Sequence, residues 1–458
     1  MTLIKSISGI RGTIGGKYRS NLTAQDIVEC TAAYGSWILK QNGSKKIVIG
    51  RDGRISGPLL NALISNTLIS LGIDVVDLGL STTPTVEVAV PIEDAQGGII
   101  ITASHNPKEW NALKFLNHKG EFISGADGNA ILQMIEEADI DYATVDQLGK
   151  IMHNDTYINK HIDLILQLED VNVEQIRNSK FHVVVDCINS TGAISIPPLL
   201  DALGCTYELL NEQVNGEFAH NPEPLPKHLE LTCNRVKNSE ADLGIVVDPD
   251  VDRLAFINED GSWFGEEYTL VAIADYILKR RPGNTVSNLS STRALADVSK
   301  ANGGNYHAAA VGEVNVVHKM KEVNAVIGGE GNGGIIFPDL HYGRDALVGI
   351  ALMLSYLAKE GLSLKSLRAK YPNYEMVKDK ISLDPNLDLA GLLKKLEIHF
   401  QNEMTNTIDG LKIDYSDSWV HMRKSNTEPI IRIYSEAPSE EAAKDLVSNI
   451  KQLIVDLT

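Results

Sequence analysis

Long apolar runs are missing from this chain. The longest, Leu347 to Ala358, is interrupted by Gly349 and Ser355, so it is too short to span a bilayer and predicts a buried helix. The N-terminal stretch MTLIKSISGIRGTIGG lacks the apolar segment of a signal peptide. Cysteine is scarce: the four residues, at 30, 187, 205 and 233, form no CxxC and no metal-ligand spacing. That excludes a disulfide framework and suits a reducing compartment, so a cytoplasmic location is expected. Aromatic residues make up only 6%, which predicts an aliphatic core. Cations are outnumbered, with 42 Lys and Arg against 60 Asp and Glu, a net charge of −18. This excludes general affinity for nucleic acid or for an anionic membrane. A local basic pocket remains open, and an anionic substrate would require one.

What is present is ordinary for a soluble globular protein: 43% hydrophobic and 22% charged residues. At roughly 150 residues per domain, 458 residues predict three or four domains. Strand-like runs alternate with amphipathic stretches. Residues 46–50 precede a predicted helix near 57–71, and another strand follows at 73–78. Residues 181–186 precede a helix ending near Leu203, and 243–247 is again strand-like. Such alternation predicts α/β units with mainly parallel sheets. The last segment differs: it is helix-rich at 386–404, then reads as short strands around 412–422 and 430–434 and a final helix at 438–455, a smaller α+β domain. The predicted domains are 1–150, 151–255, 256–370 and 371–458. Strong residue-level repeats are absent, although similar α/β units could be structural repeats whose sequences have diverged.

Four short segments carry chemistry. The first is GGIIITASHNPKEWNALKF, residues 97–115. An apolar β-branched run ends in Thr102-Ala103-Ser104-His105-Asn106-Pro107, which predicts a buried strand emptying into a loop. Ser104 offers a hydroxyl that can carry a phosphoryl group, and His105 an imidazole that can move its proton. The second is Asp248-Pro249-Asp250-Val251-Asp252-Arg253, at the exit of the 243–247 strand. Three carboxylates at alternate positions of one loop suit Mg²⁺. An EF-hand is disfavoured, because its glycine at position six and glutamate at position twelve are missing. The third, Gly328-Gly329-Glu330-Gly331-Asn332-Gly333-Gly334, sets an acceptor and an amide among glycines, a combination that can read sugar hydroxyls. The fourth, Arg423-Lys424-Ser425-Asn426-Thr427-Glu428-Pro429 followed by Arg432, gathers cations, hydroxyls and amides in one loop of an acidic protein. Arginine binds phosphate bidentately, and hydroxyl and backbone N–H groups can complete a cradle. Together the four segments predict phosphoryl transfer on a phosphorylated sugar, in a cleft where domains meet.

In this order and spacing, the motifs resemble the α-D-phosphohexomutase superfamily from Gly9-Ile10-Arg11-Gly12 to the Arg423 loop. The resemblance implies four domains in a heart shape, three similar α/β units with mixed sheets and a smaller α+β domain. It also implies that Ser104 is a phosphoserine in the active enzyme and completes a Mg²⁺ site with Asp248, Asp250 and Asp252. Gly329, Glu330, Gly331, Asn332 and Gly333 would contact the sugar. Arg423, Ser425, Asn426, Thr427 and Arg432 would bind the phosphate not being transferred. Arg11, Lys114 and Arg253 would line the cleft near the phosphoserine. Lys114 and His105 are the candidates for proton transfer, with Lys114 slightly preferred because neighbouring cations would lower its pKa. The implied reaction interconverts hexose 6-phosphate and hexose 1-phosphate through a hexose 1,6-bisphosphate. The expected partner is a phosphorylated hexose, with no nucleic acid and no membrane, and the chain is expected to be a monomer or homodimer. The sugar loop departs from two common forms, GEMSGH and GEQSGH: it reads GEGNGG, with Gly334 in place of the histidine and Asn332 in place of the serine. This form resembles a subgroup assigned to phosphoglucosamine or phosphomannose/phosphoglucose conversion. Glucosamine phosphate is the favoured substrate, and phosphomannomutase or phosphoglucomutase activity is the alternative. A phosphatase or bisphosphate synthase on the same scaffold is a further rival.

Overall fold

The computed structural model describes residues 2–6, 9–137, 139–382, 388–424 and 430–457. Four sheets follow one another along the chain. The first three share one plan. In the first, strand Lys46–Arg51 is flanked by parallel strands Asp74–Leu80 and Gly97–Ile101, and Trp110–Leu116 returns antiparallel to Gly97–Ile101. In the second, His182–Asp186 lies between parallel Thr206–Leu210 and Leu243–Val247, and Leu254–Asn258 returns antiparallel. In the third, Asn284–Asn288 lies between parallel Asn305–Ala309 and Ala325–Glu330, and Gly334–Ile336 returns antiparallel. These are the diverged structural repeats that the sequence left open. The first sheet extends to seven strands, with Ile4–Ser6 and Gly9–Thr13 at one edge and Ile151–His153 at the other.

The repeated plan decides where the motifs go. In each unit the third strand and its antiparallel return form a hairpin. The three hairpin loops, 102–109, 248–253 and 331–333, carry the serine, the aspartates and the glycine-rich segment. The strands entering the first two loops, Gly97–Ile101 and Leu243–Val247, are buried at every position. This explains their unbroken apolar runs, since helices cover both faces of such strands.

The fourth sheet is antiparallel, ordered Glu375–Ser382, Ile430–Ala437, Trp419–Lys424, Leu411–Asp414 and Met404–Asn406. Helices Leu389–His399 and Glu440–Leu457 pack on it, with Leu396, Val447, Ile450 and Ile454 buried. The second and third units share one aliphatic core, centred on Ala346–Glu360. That helix is buried from Ala346 to Leu357, as the Leu347–Ala358 run predicts. No helix among the described residues is long and apolar enough to cross a membrane.

Candidate active site

Ser104 stands at the entrance of its hairpin loop with a left-handed backbone, φ +48°. A non-glycine residue in that region costs roughly 1–2 kcal/mol, so the loop must be held from outside. Arg54 does this. Its buried guanidinium donates to the carbonyls of Ser104 and Asn106 (2.6 Å each), Pro107 (2.7 Å) and Trp110 (2.8 Å). Asp52 pairs with Arg54 Nε at 3.1 Å and accepts the Thr102 hydroxyl at 2.6 Å. Thr102 Oγ1 in turn accepts the Ser104 N–H. Sequence reading missed Arg54 and Asp52; the RDGR string they occupy at the exit of a predicted strand was the available signal.

The second hairpin loop faces this one. Ser104 Oγ donates to Asp248 Oδ2 at 2.6 Å. Asp248, Asp250 and Asp252 are fully buried and bring one oxygen each within 4.8 Å of one another. Val251, a β-branched residue between them, has φ +61°, an outlier that places strain in the loop. Neighbouring units pin the loop: Thr83 N–H donates to the Asp250 carbonyl and Ala346 N–H to the Val251 carbonyl. The Thr83 hydroxyl donates to Asp250 Oδ2 at 2.6 Å. Lys114 Nζ lies 2.9 Å from Asp250 Oδ2 and 3.7 Å from Asp252 Oδ2.

These carboxylates fit a hard divalent cation. Asp250 Oδ1 and Asp252 Oδ1 are buried without a hydrogen-bond partner, and such oxygens are costly unless an ion or proton meets them. Burial, with Asp252 and Asp250 adding, drives the Asp248 pKa well above the carboxylate range. At Asp250 burial acts in the same sense, but Lys114 and the Thr83 hydroxyl outweigh it and hold the pKa low. One acid of the set therefore keeps a proton that a cation would displace.

The expectation for Lys114 is reversed. Burial opposes its charge, yet Asp250 and Asp252 outweigh that and raise its pKa. Its ammonium form is the favoured one. His105 behaves oppositely: burial, then Arg253 and Arg344, push its pKa down to about 2. Its neutral ring places Nδ1 3.4 Å from Ser104 Oγ. Arg253 Nε, buried and without a hydrogen-bond partner, faces Asp248 at 4.0 Å and Asp252 at 3.9 Å.

The third hairpin joins the second directly, since Leu254 N–H donates to the Gly333 carbonyl. Glu330 is not idle. Its Oε2 pairs with Arg344 Nη1 at 3.0 Å, and its Oε1 accepts from Asn288 (2.9 Å) and from Gly312 N–H (3.3 Å). Asn332 Oδ1 closes the turn on Gly334 N–H. Arg344, which sequence reading missed, ties Glu330 to Glu313 (3.0 Å) and Asp252 (2.7 Å). Gly331 lets Glu267 approach closely: a Cβ there would lie 2.0 Å from Glu267 Oε2 and would push that side chain aside. Glu267 is partly exposed beside it and accepts Thr292 N–H.

In the fourth sheet Arg423 lies directly opposite Arg432 across the ladder, and like charges so placed repel unless an anion joins them. Arg423 Nε has no hydrogen-bond partner among the described residues. Arg11 joins them: burial and the charge of Arg432 lower its pKa. Ser425, Asn426 and Thr427 lie outside the described residues.

Comparison with known proteins agrees with this arrangement. Residues 3–141, 159–261 and 265–374 match phosphoglucomutase/phosphomannomutase alpha/beta/alpha domains I, II and III, and 378–453 match the C-terminal domain. A phosphoglucomutase/phosphomannomutase of Thermococcus kodakarensis is 35% identical over 442 residues, 95% of this chain and 96% of the relative. A phosphoglucosamine/phosphogalactosamine mutase of Sulfurisphaera tokodaii is 33% identical over 454 residues, 97% and 98% of the two chains. The crystal structure of a phosphoglucomutase/phosphomannomutase family protein from Burkholderia thailandensis superposes with a TM-score of 0.85 at 27% identity, covering 99% and 97%. Fold and site together define a phosphohexomutase, an isomerase. The chain belongs to the phosphoglucomutase/phosphomannomutase family.

Proposed function

We propose that this enzyme interconverts glucosamine 6-phosphate and glucosamine 1-phosphate through a phosphoserine at Ser104 and a hexose 1,6-bisphosphate. The observation that carries the transfer chemistry is the 2.6 Å approach of Ser104 Oγ to Asp248 within a buried triad of aspartates. Asp248, Asp250 and Asp252, with an oxygen of phospho-Ser104, would hold Mg²⁺, which would offset charge on the transferred phosphoryl group. The bond from phosphorus to Ser104 Oγ breaks as a bond from phosphorus to the sugar hydroxyl forms. The sugar hydroxyl gives up its proton as its bond to phosphorus forms and the departing Ser104 Oγ takes one up, so the proton balance of the transfer is unchanged. Lys114, Arg253 and Arg344 steady the developing negative charge. Arg11, Arg423 and Arg432, with Ser425, Asn426 and Thr427, hold the other phosphate. The bisphosphate then turns end for end and returns its second phosphate to Ser104.

The amino sugar is favoured by the carboxylates around the glycine-rich loop. Glu313, Glu330 and Asp252 gather there around Arg344, and Glu267 stands against Gly331. An ammonium at the sugar 2-position, meeting Glu267 across Gly331, would favour loss of its carboxyl proton and pair with the carboxylate, whereas a hydroxyl would leave it protonated. The enzyme acts in the cytoplasm as a monomer or homodimer. The test is a ³¹P NMR assay with Mg²⁺ and a trace of the matching hexose 1,6-bisphosphate, supplying glucosamine, mannose and glucose 6-phosphates separately. Fastest growth of a 1-phosphate signal from glucosamine 6-phosphate is expected. Preference for mannose or glucose would move the enzyme to the phosphomannomutase/phosphoglucomutase alternative. Release of inorganic phosphate alone would overturn the mutase reading.

A further inference from the structure

Behind the aspartate loop, a second cluster of polar side chains joins the first three units. His161 comes from helix Tyr157–Leu166 and Glu87 from helix Thr83–Ile92; His341 and Asp345 come from the segment before helix Ala346–Glu360. His161 and Asp345 are wholly buried, Glu87 is 1% exposed, and the His341 side chain is 11% exposed.

The geometry is specific. His161 Nε2 lies 3.0 Å from Asp345 Oδ2, and His341 Nε2 lies 3.4 Å from the same oxygen. The three atoms fall within 4.8 Å of one another. Ligands about 2.0–2.1 Å from a tetrahedral Zn²⁺ stand roughly 3.3 Å apart, so both short spacings suit such an ion. The far nitrogen of each ring meets an oxygen: His161 Nδ1 is 3.0 Å from Thr85 Oγ1, and His341 Nδ1 is 3.3 Å from Glu87 Oε2. Carboxylates and hydroxyls in that outer position fix the ring orientation and tautomer of metal-bound imidazoles. Asp345 Oδ1 caps helix Ala346–Glu360 by accepting Leu347 and Val348 N–H, which leaves Oδ2 for the two rings.

A second observation points the same way. Apart from the 3.3 Å approach of His341 Nδ1 to Glu87 Oε2, both oxygens of Glu87 and this nitrogen are buried without a partner among the described residues. A pair of carboxylates so enclosed requires a positive charge among them. Gly343 makes room for Glu87 to reach the cluster, since a Cβ there would stand 1.7 Å from Oε2.

We propose that His161, His341 and Asp345 bind a transition-metal ion, with Glu87 and Thr85 orienting the two rings. Two imidazoles and one carboxylate suit Zn²⁺ rather than Mg²⁺, which prefers an all-oxygen shell. The ion fastens the second and third units directly and the first through Glu87 and Thr85. The site is separate from the aspartate triad and stands whether or not the mutase reading does.

The probe is Co²⁺, whose visible bands report nitrogen-containing tetrahedral coordination. Chelator-stripped full-length protein is titrated in excess Mg²⁺, alongside Asp250→Asn, His341→Gln and His161→Gln. The expected result is about one Co²⁺ per chain, with visible bands that Zn²⁺ displaces. Binding persists in Asp250→Asn and weakens more than ~100-fold in His341→Gln. His341 is at the edge of the cluster, so this variant serves if His161→Gln does not fold. Absence of the bands in wild type, unchanged binding in His341→Gln, or loss of binding in Asp250→Asn would each overturn the site. In any of these cases protons would be the charge that holds the cluster.

Discussion

The hairpin loops at 248–253 and 331–333 occupy the same place in two copies of one sheet plan, yet they have opposite electrostatic states. The first encloses three carboxylates, and two of their oxygens lack any partner. The second holds its one carboxylate, Glu330, fully bonded by Arg344, Asn288 and Gly312. The difference teaches that a shared topology supplies a position, while the neighbouring unit decides what the position does. Lys114 and Arg344 compensate part of the charge of the 248–253 loop, and a cation can complete it. The 331–333 loop is preassembled, and Arg344 couples the two by touching Asp252 and Glu330 together. The fourth sheet supplies the complement, two facing arginines that call for an anion.

The contrast can be broken at several points. Ser104→Ala should lower turnover by ~10⁴-fold or more with little change in the melting temperature; substantial residual mutase activity would remove Ser104 from the phosphoserine role. Next in size, Asp250→Asn should cut activity ~10²-fold or more and shift the Mg²⁺ dependence. An unchanged Mg²⁺ titration would count against the ligand assignment. Arg344→Met leaves Asp252, Glu313 and Glu330 without their shared cation, and urea unfolding should show a loss of ~3–5 kcal/mol. A near-neutral result would mean that the two loops are not coupled through this residue.

Arg423→Ala should raise KM ~10–100-fold with kcat little changed. Its stability should hold; an effect on stability alone would make this hairpin structural. The smallest effect is expected at Glu267. Burial, reinforced by Glu266 and Glu436 and opposed by Lys378 and the Thr292 N–H, raises its pKa to about 8. The folded chain therefore keeps a proton that the unfolded chain releases near pH ~4.3. The stability linked to this group is full below that pH and is lost as pH rises toward 8. Glu267→Gln should flatten this decline in thermal melts between pH 5 and 8, and raise KM several-fold for glucosamine 6-phosphate but not for glucose 6-phosphate. Equal KM changes for both sugars would separate Glu267 from amino-sugar recognition.

Much of this was legible in the sequence because it is local. Buried strands announce themselves as apolar β-branched runs, so Gly97–Ile101 and Leu243–Val247 and the polar loops that follow them could be read directly. The serine and aspartate motifs, their order along the chain, and the family they resemble are properties of contiguous residues. The Leu347–Ala358 run likewise predicted its own burial. Arg344 and Glu267 were not legible, because each acts on a segment distant in sequence and no local pattern marks it; Arg54 carried only the RDGR string, which does not say what it would hold.

The chain's own order of residues determined four units, their aliphatic cores, a serine loop and an acidic loop suited to a cation. Only the tertiary structure decided that three units repeat one sheet plan and so bring their hairpin loops together. It alone reversed the expected charge behaviour of Lys114, by setting that ammonium against Asp250 and Asp252. It also gathered His161, His341, Asp345 and Glu87 from three units into one buried cluster. The physical reason is the same in each case. Electrostatic energy depends on distance in space and on exclusion of water, and neither can be read from separation along the chain.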